Sequence, residues 1–232
     1  MKYLYLYLNI GSFIIPFLFS FHPKLQFYKK WKNLFPAIAL MMVIFISWDV
    51  LFTQQGVWGF NETYLIGIYL FNLPLEEWLF FFCIPYACIF THYSLQHLSP
   101  RLSLSEKTTN IIYILLLTIL ILVLWYAYDR WYTLVNFTYA IILLGIIYNA
   151  KRRLLQSFIP TFLVILLPFF IVNGVLTGSG IDAPVVWYNN AENLGIRLFT
   201  IPIEDIIYAF GMLLTVLILT EYFDNKLVTA NK

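Results

Sequence analysis

The chain has 232 residues, of which 61% are hydrophobic, 20% aromatic and only 11% charged, with a formal net charge of +2. Its mean hydropathy is +0.79. Soluble domains carry about 25% charged residues, so this composition excludes an ordinary soluble enzyme and indicates a polytopic membrane protein; the near-neutral balance also gives no polyelectrolyte surface for nucleic acid.

Met1-Lys2 precedes an apolar run over 3–21. The run is long and aromatic, has one lysine ahead of it and no small-residue cleavage site after it, so it reads as a retained span rather than a signal peptide. About 20 apolar residues cross a bilayer, and seven segments meet that need: 3–21, 35–53, 73–95, 110–128, 132–150, 158–177 and 202–222. The expected fold is an all-α membrane protein with seven transmembrane helices, one membrane domain over 1–232 with short loops.

The basic residues orient it. With the N-terminus outside, the cytoplasmic segments hold Lys24, Lys29, Lys30, Lys32, Arg101, Lys107, Lys151, Arg152, Arg153, Lys226 and Lys232, against Lys2, Arg130 and Arg197 outside. That asymmetry predicts the N-terminus outside and the C-terminus in the cytoplasm.

The third span opens Pro74-Leu75-Glu76-Glu77-Trp78-Leu79-Phe80-Phe81-Phe82 and the seventh Pro202-Ile203-Glu204-Asp205-Ile206-Ile207-Tyr208-Ala209-Phe210, an offset of 128 residues. Gly67 and Gly195 share the offset, and Trp58 and Trp187 miss it by one residue. Such a recurrence indicates duplication of a three-helix unit. Two parallel copies need an extra helix between them, and span four supplies it. The plan is a tandem 3+1+3 parallel repeat: 1–95 (spans 1–3), 96–130 (connecting span 4) and 131–232 (spans 5–7).

Pro74 and Pro202 sit where helices begin, since proline is tolerated at the first helical position. Glu76, Glu77, Glu204 and Asp205 then fall in first turns, where the helix dipole favours anions. Helix-start acids at a membrane interface need no further role, but two copies facing each other across a pseudo-twofold axis would gather four carboxyls. Neighbours on a helix diverge by about 100°, so one carboxyl from each motif would meet, such as Glu76 with Glu204. Carboxyls sharing a partly desolvated site do not all ionise, and a carboxylic acid kept protonated is a general acid. Around it stand Trp78, Phe80, Phe81, Phe82, Tyr208 and Phe210, whose ring faces attract a carbocation.

Asp49, near the outer end of span two, is an ionisable residue inside a span and so a candidate; it could equally snorkel to the interface. Asn173 in span six is its repeat counterpart. Arg197 lies five residues before Pro202, placed either to pair with a motif acid or to sit at the interface. Cys83 and Cys88 form neither a CxxC pair nor a disulfide framework and read as buried thiols. His22, His92 and His97 have no metal-ligand spacing and read as surface or interface residues. No dinucleotide fingerprint appears, and no pair of Asp-rich motifs could hold a magnesium diphosphate.

The stretches Trp58-Gly59-Phe60-Asn61 with Asn72 to Phe81, and Asn173-Gly174-Val175-Leu176-Thr177-Gly178 with Ile201 to Asp205, resemble the small integral-membrane lycopene cyclases of bacteria and archaea, in the form that fuses two cyclase subunits into one chain. The resemblance covers nearly the whole chain. It implies a lycopene β-cyclase in a bacterial cytoplasmic membrane, an isomerase that closes the ψ ends of lycopene, a linear C40 carotene, to β-ionone rings through γ-carotene to β-carotene. It implies Glu76, Glu77, Glu204 and Asp205 as acid and base, their roles not divided, with Asp49, Trp58, Asn173, Trp187, Arg197, Pro74, Pro202, Trp78, Phe80, Phe81, Tyr208 and Phe210 as pocket or support. No cofactor and no metal are implied; the partners are apolar carotenoids, membrane lipid and other carotenoid-pathway enzymes. The second motif has Glu-Asp where the first has Glu-Glu, which leaves the equivalence of the halves open. Two other readings stand beside this one. A 3+1+3 plan also suits a small proton-coupled transporter, although the Pro-Gln pairs expected of one are replaced here by prolines leading into acids. A carotenoid hydratase would use the same protonation and let water capture the cation.

Overall fold

The computed structural model describes residues 2–150 and 152–230, with the side chains of 149, 150, 152 and 225–230 excepted. Lys151 and Lys232, and the side chains of Arg152 and Lys226, which the charge count used, lie outside the described residues. Seven α-helices follow in order: α1 (Leu4–Phe19), α2 (Trp31–Gln54, entered through a 3-10 turn at Phe27–Lys30), α3 (Leu75–Leu98), α4 (Glu106–Tyr126), α5 (Trp131–Ala150), α6 (Arg152–Leu176) and α7 (Glu204–Ala230). Among the described residues six helices are long and apolar enough to cross a membrane. The shorter one is α1, whose 16 residues extend about 24 Å, against a hydrocarbon core of about 30 Å.

The sequence reading missed six short strands. β1 (Trp58–Phe60) pairs antiparallel with β4 (Val186–Tyr188). β2 (Tyr69–Leu70) with β3 (Leu73–Pro74), and β5 (Arg197–Leu198) with β6 (Ile201–Pro202), form two tight hairpins one repeat apart. Two- and three-residue strands have too little alternation to register as a period. Both hairpins turn on a phenylalanine with left-handed backbone, Phe71 at φ 52° and Phe199 at φ 58°. α3 and α7 start just after these hairpins, so Pro74 and Pro202 end strands and lie immediately outside the helices rather than at their first position.

The chain divides into two compact units, one of residues 1–55, 62–99 and 212–232, the other of 56–61 and 100–211. In the first, α1 packs on α3 through Phe13 and Tyr86, ring centroids 4.8 Å apart, and the Ser20 and Tyr86 hydroxyls are 2.6 Å apart. Leu34, Met41, Phe45 and Phe81 fill its core. The C-terminal part of α7 is tied in by Lys30 to Asp224 at 3.4 Å and by the Tyr93 hydroxyl donating to Glu221 at 2.6 Å. Tyr93 and Glu221 are one repeat length apart. His92 is buried in this unit beside Tyr93, not at the surface as its spacing suggested; it falls on the packed face of α3, whereas His22 and His97 are exposed. Cys83 is buried and Cys88 half-buried, both free.

In the second unit α4 opens on Ser105, whose Oγ accepts from the Thr108 amide at 3.1 Å, capping an otherwise orphan donor. α4 has only Thr109 and Leu120 buried, while Ile111, Ile114, Leu115, Ile119 and Leu122 are exposed. A helix this apolar and this little buried suits hydrocarbon, where no solvent penalises its side chains. Phe158, Phe162 and Phe210 pack α6 against the start of α7.

Candidate active site

Each acidic motif is built into its own unit by the same three devices. The first is a tyrosine and an asparagine one turn apart on the helix that opens each repeat. In the first unit the Tyr5 hydroxyl donates to Glu77 Oε2 at 2.5 Å, and Asn9 Nδ2 donates to the Glu76 carbonyl at 2.8 Å. In the second the Tyr132 hydroxyl donates to Asp205 Oδ1 at 2.6 Å, and Asn136 Nδ2 to the Glu204 carbonyl at 2.8 Å. All four donors are buried. The second device is a loop amide: Ile66 N–H donates to Glu76 Oε1 at 2.5 Å and Leu194 N–H to Glu204 Oε1 at 2.6 Å. In both loops the next residue is a glycine with left-handed backbone, Gly67 at φ 92° and Gly195 at φ 70°. That conformation is readily available only without a Cβ, and it turns the preceding amide onto the carboxyl. The third device is the hairpin, which fixes the helix start through Leu75 N–H to the Ile68 carbonyl and Ile203 N–H to the Ile196 carbonyl.

Glu76 and Glu204 are fully buried, with Oε1 bound as described and Oε2 buried without a hydrogen-bond partner among the described residues. Their neighbours Glu77 and Asp205 are oriented differently, as residues about 100° apart on a helix must be, and each is held by a tyrosine hydroxyl. A carboxyl with one oxygen anchored leaves the other available to a substrate, and one gripped by a tyrosine hydroxyl is fixed in orientation.

The second unit adds donors. Asp205 Oδ2 accepts from Asn173 Nδ2 at 2.8 Å and from the Tyr188 hydroxyl at 3.0 Å, and Glu204 Oε1 also accepts from Thr133 Oγ1 at 2.8 Å. Aromatic rings close around Asp205. Trp58 lies 5.0 Å from Tyr132, 6.2 Å from Tyr188 and 6.5 Å from Tyr208, and Tyr132 lies 5.9 Å from Tyr188. Trp58 reaches this cluster through β1, whose central residue Gly59 faces Trp187. The Trp187 indole covers Gly59 so closely that a Cβ there would sit 2.6 Å from its Cε2.

Of the residues singled out from sequence, Asn173, Trp58 and Tyr208 are thus assembled around Asp205. Asp49 is buried on α2 in the first unit rather than snorkelling outward. Phe80 lies 6.2 Å from Tyr5, and buried Phe81 packs on Phe45. Trp78 Nε1 donates to the Leu70 carbonyl at the hairpin, and Phe210 belongs to the Phe158–Phe162 packing rather than to the carboxyls. Arg197 donates to the Thr200 carbonyl at 2.7 Å and to Asn190 Oδ1 at 2.9 Å, and binds no motif acid. Sequence reading passed over Tyr5, Asn9, Tyr132, Thr133, Asn136 and Tyr188. The first, second, third and fifth form a repeated Tyr-x-x-x-Asn at an offset of 127 residues, one short of the motif offset. Aligning the whole repeat, not only its acids, would have exposed them.

A family model described as lycopene cyclase matches residues 2–95 and 129–223, two segments that follow the repeat. No curated protein matches. No solved structure matches.

Proposed function

We propose, since the chain belongs to the lycopene cyclase family, that it closes the ψ ends of lycopene to β-ionone rings by acid catalysis, giving γ-carotene and then β-carotene. The family makes it an enzyme with a carotenoid substrate, and its apolar helices make it an integral membrane protein. Within that frame the reaction is a redox-neutral isomerisation. Glu76 and Glu204 are the general acids and Glu77 and Asp205 the bases. The acid protonates C2 of the terminal double bond, and the tertiary cation forms at C1. The C5=C6 π pair attacks C1 and closes the ring, moving the cation to C5. Loss of the C6 proton to the base leaves the β double bond. One proton enters and one leaves, and no electrons are exchanged.

The observation that carries this reading is the twice-built pair: a fully buried glutamate with one anchored and one unpaired oxygen, next to a carboxylate gripped by a buried tyrosine. A protonated oxygen with no acceptor nearby is free to donate into a carbon–carbon π bond, which competes poorly with any ordinary acceptor. The rings of Trp58, Tyr132 and Tyr208 beside Asp205 suit the cationic intermediate. Asp49, Trp187, Arg197, Pro74, Pro202, Trp78, Phe80 and Phe81 take supporting roles, with Arg197, Trp78, Pro74 and Pro202 at the hairpins that precede the helix starts. The charge asymmetry supports an N-terminus outside and a cytoplasmic C-terminus in a bacterial cytoplasmic membrane.

Expression in a bacterium that accumulates lycopene tests the function. Extracted pigment should shift to γ- and β-carotene. Unchanged lycopene from well-expressed, membrane-inserted protein refutes cyclisation, and a hydroxylated acyclic carotene replaces it with hydration.

A further inference from the structure

Beside Asp205 the second unit holds a cavity of about 310 Å³, on the order of ten water volumes. It is lined by Tyr188, Arg197, Thr177, Thr200, Trp187 and Phe199, among others. Tyr188 lines it, and the Tyr188 hydroxyl donates to Asp205 Oδ2. Its walls carry an unusual share of polar groups for a protein this apolar. Thr200 Oγ1 lies 2.8 Å from Thr177 Oγ1 and 2.7 Å from Ser179 Oγ, and the Arg197 guanidinium stands over the Tyr188 ring at 5.8 Å. The loop that forms it, between α6 and α7, exposes Asp182, Asn189 and Asn190. A guanidinium and a hydroxyl chain are poor company for a hydrocarbon substrate and good company for water.

Resting on the cyclase reading, we propose that this cavity is a hydrated port through which Asp205 exchanges its proton with the aqueous phase, with the Tyr188 hydroxyl as the relay. Each turnover leaves the acid one proton short and the base one proton long, so the site resets when the proton Asp205 took from C6 passes on to Glu204. Tyr188 opens that internal loop to solvent: its hydroxyl gives a proton to Asp205 as it accepts one from cavity water, and the reverse, with no net change in charge. At the repeat offset the first half has Phe60 in place of Tyr188, and a phenyl ring relays nothing. Tyr188 is a relay and positioning residue; it does not touch the reacting carbons.

The test is cyclisation of lycopene in liposomes by membranes containing the full chain, in D2O, with deuterium at ring C2 read by mass spectrometry. Wild-type product should carry solvent deuterium. Tyr188→Phe should lower the deuterium content per ring several-fold, because the C6 proton is then recycled within the site. Slower turnover leaves more time for exchange, so a merely structural loss of activity would raise the content per ring, not lower it. Thr200→Leu, which occupies the cavity and keeps the Tyr188–Asp205 bond, should lower it in the same direction and serves if Tyr188→Phe does not fold. Equal deuterium in wild type and variants, or none in wild type, overturns the port alone. No ring product from folded wild type overturns the cyclase reading and the port with it.

Discussion

Glu204→Gln separates chemistry from folding more sharply than any other change. The glutamine carbonyl can occupy the place of Oε1 and keep the bonds from Leu194 N–H and Thr133 Oγ1. Both bonds survive, so the stability loss stays below about 1 kcal/mol, the net worth of one such bond. Glu204→Ala strips both and leaves two donors without an acceptor, about 1–3 kcal/mol each. What glutamine cannot supply is the transferable proton at the position of Oε2, which has no other partner among the described residues. A positioned general acid contributes about 10²–10⁴ in rate, or about 3–5 kcal/mol of barrier. Glu204→Gln is therefore expected to melt in detergent near the wild-type temperature, as is Glu76→Gln, whose Oε1 bond to Ile66 N–H is likewise preserved; each alone should lower the initial cyclisation rate, and the two together should lower it at least about 100-fold. Rates come from pigment chromatography of liposome assays, normalised to folded protein. If both variants fold and both cyclise at wild-type rates, the buried glutamates are not the acids and the division of roles is wrong.

Other consequences are structural. Gly59→Val would drive its Cβ into the Trp187 indole and should cost about 1–3 kcal/mol, read as a lower melting temperature; an unchanged melt would mean β1 and β4 do not pair as described. Asn9→Leu and Asn136→Leu each remove one 2.8 Å bond to a helix-start carbonyl and should destabilise by similar amounts, about 0.5–2 kcal/mol. A large loss from one and none from the other would contradict the equivalence of the two anchors. A reporter fused after Lys232 should read out on the cytoplasmic side, and an external signal would reverse the orientation.

The seven helices were legible because apolar runs of nearly 20 residues are a strong signal; most ends shifted by a few residues, while α6 begins at Arg152 rather than 158 and α7 runs to Ala230 rather than 222. The hairpins were hidden in pieces of two residues, and their turns use Phe71 and Phe199 where Asn-Gly would have announced them. The acids were legible because charge is so scarce in this chain that a doubled pair stands out. Their donors were not. Tyr5 and Tyr132 look like members of an aromatic fifth of the sequence, and a hydroxyl in an apolar run carries no mark of what it will bind. Asn9 and Asn136 were the available signal, since an amide inside a span needs a partner, and both found one on the acidic motif.

The donors also show what duplication kept and what it let drift. Tyr5 and Tyr132, Asn9 and Asn136, and the amides before Gly67 and Gly195 recur with nearly the same distances. These groups orient the carboxyls. Two of the donors on the second motif stand at positions where the aligned residue of the first half is of another type. Tyr188 corresponds to Phe60 at the motif offset and Thr133 to Leu6 at the offset of the opening helices. The second motif has Asp205 where the first has Glu77. A shorter side chain reaches less far, and Tyr188, Asn173 and Tyr132 meet it from three directions.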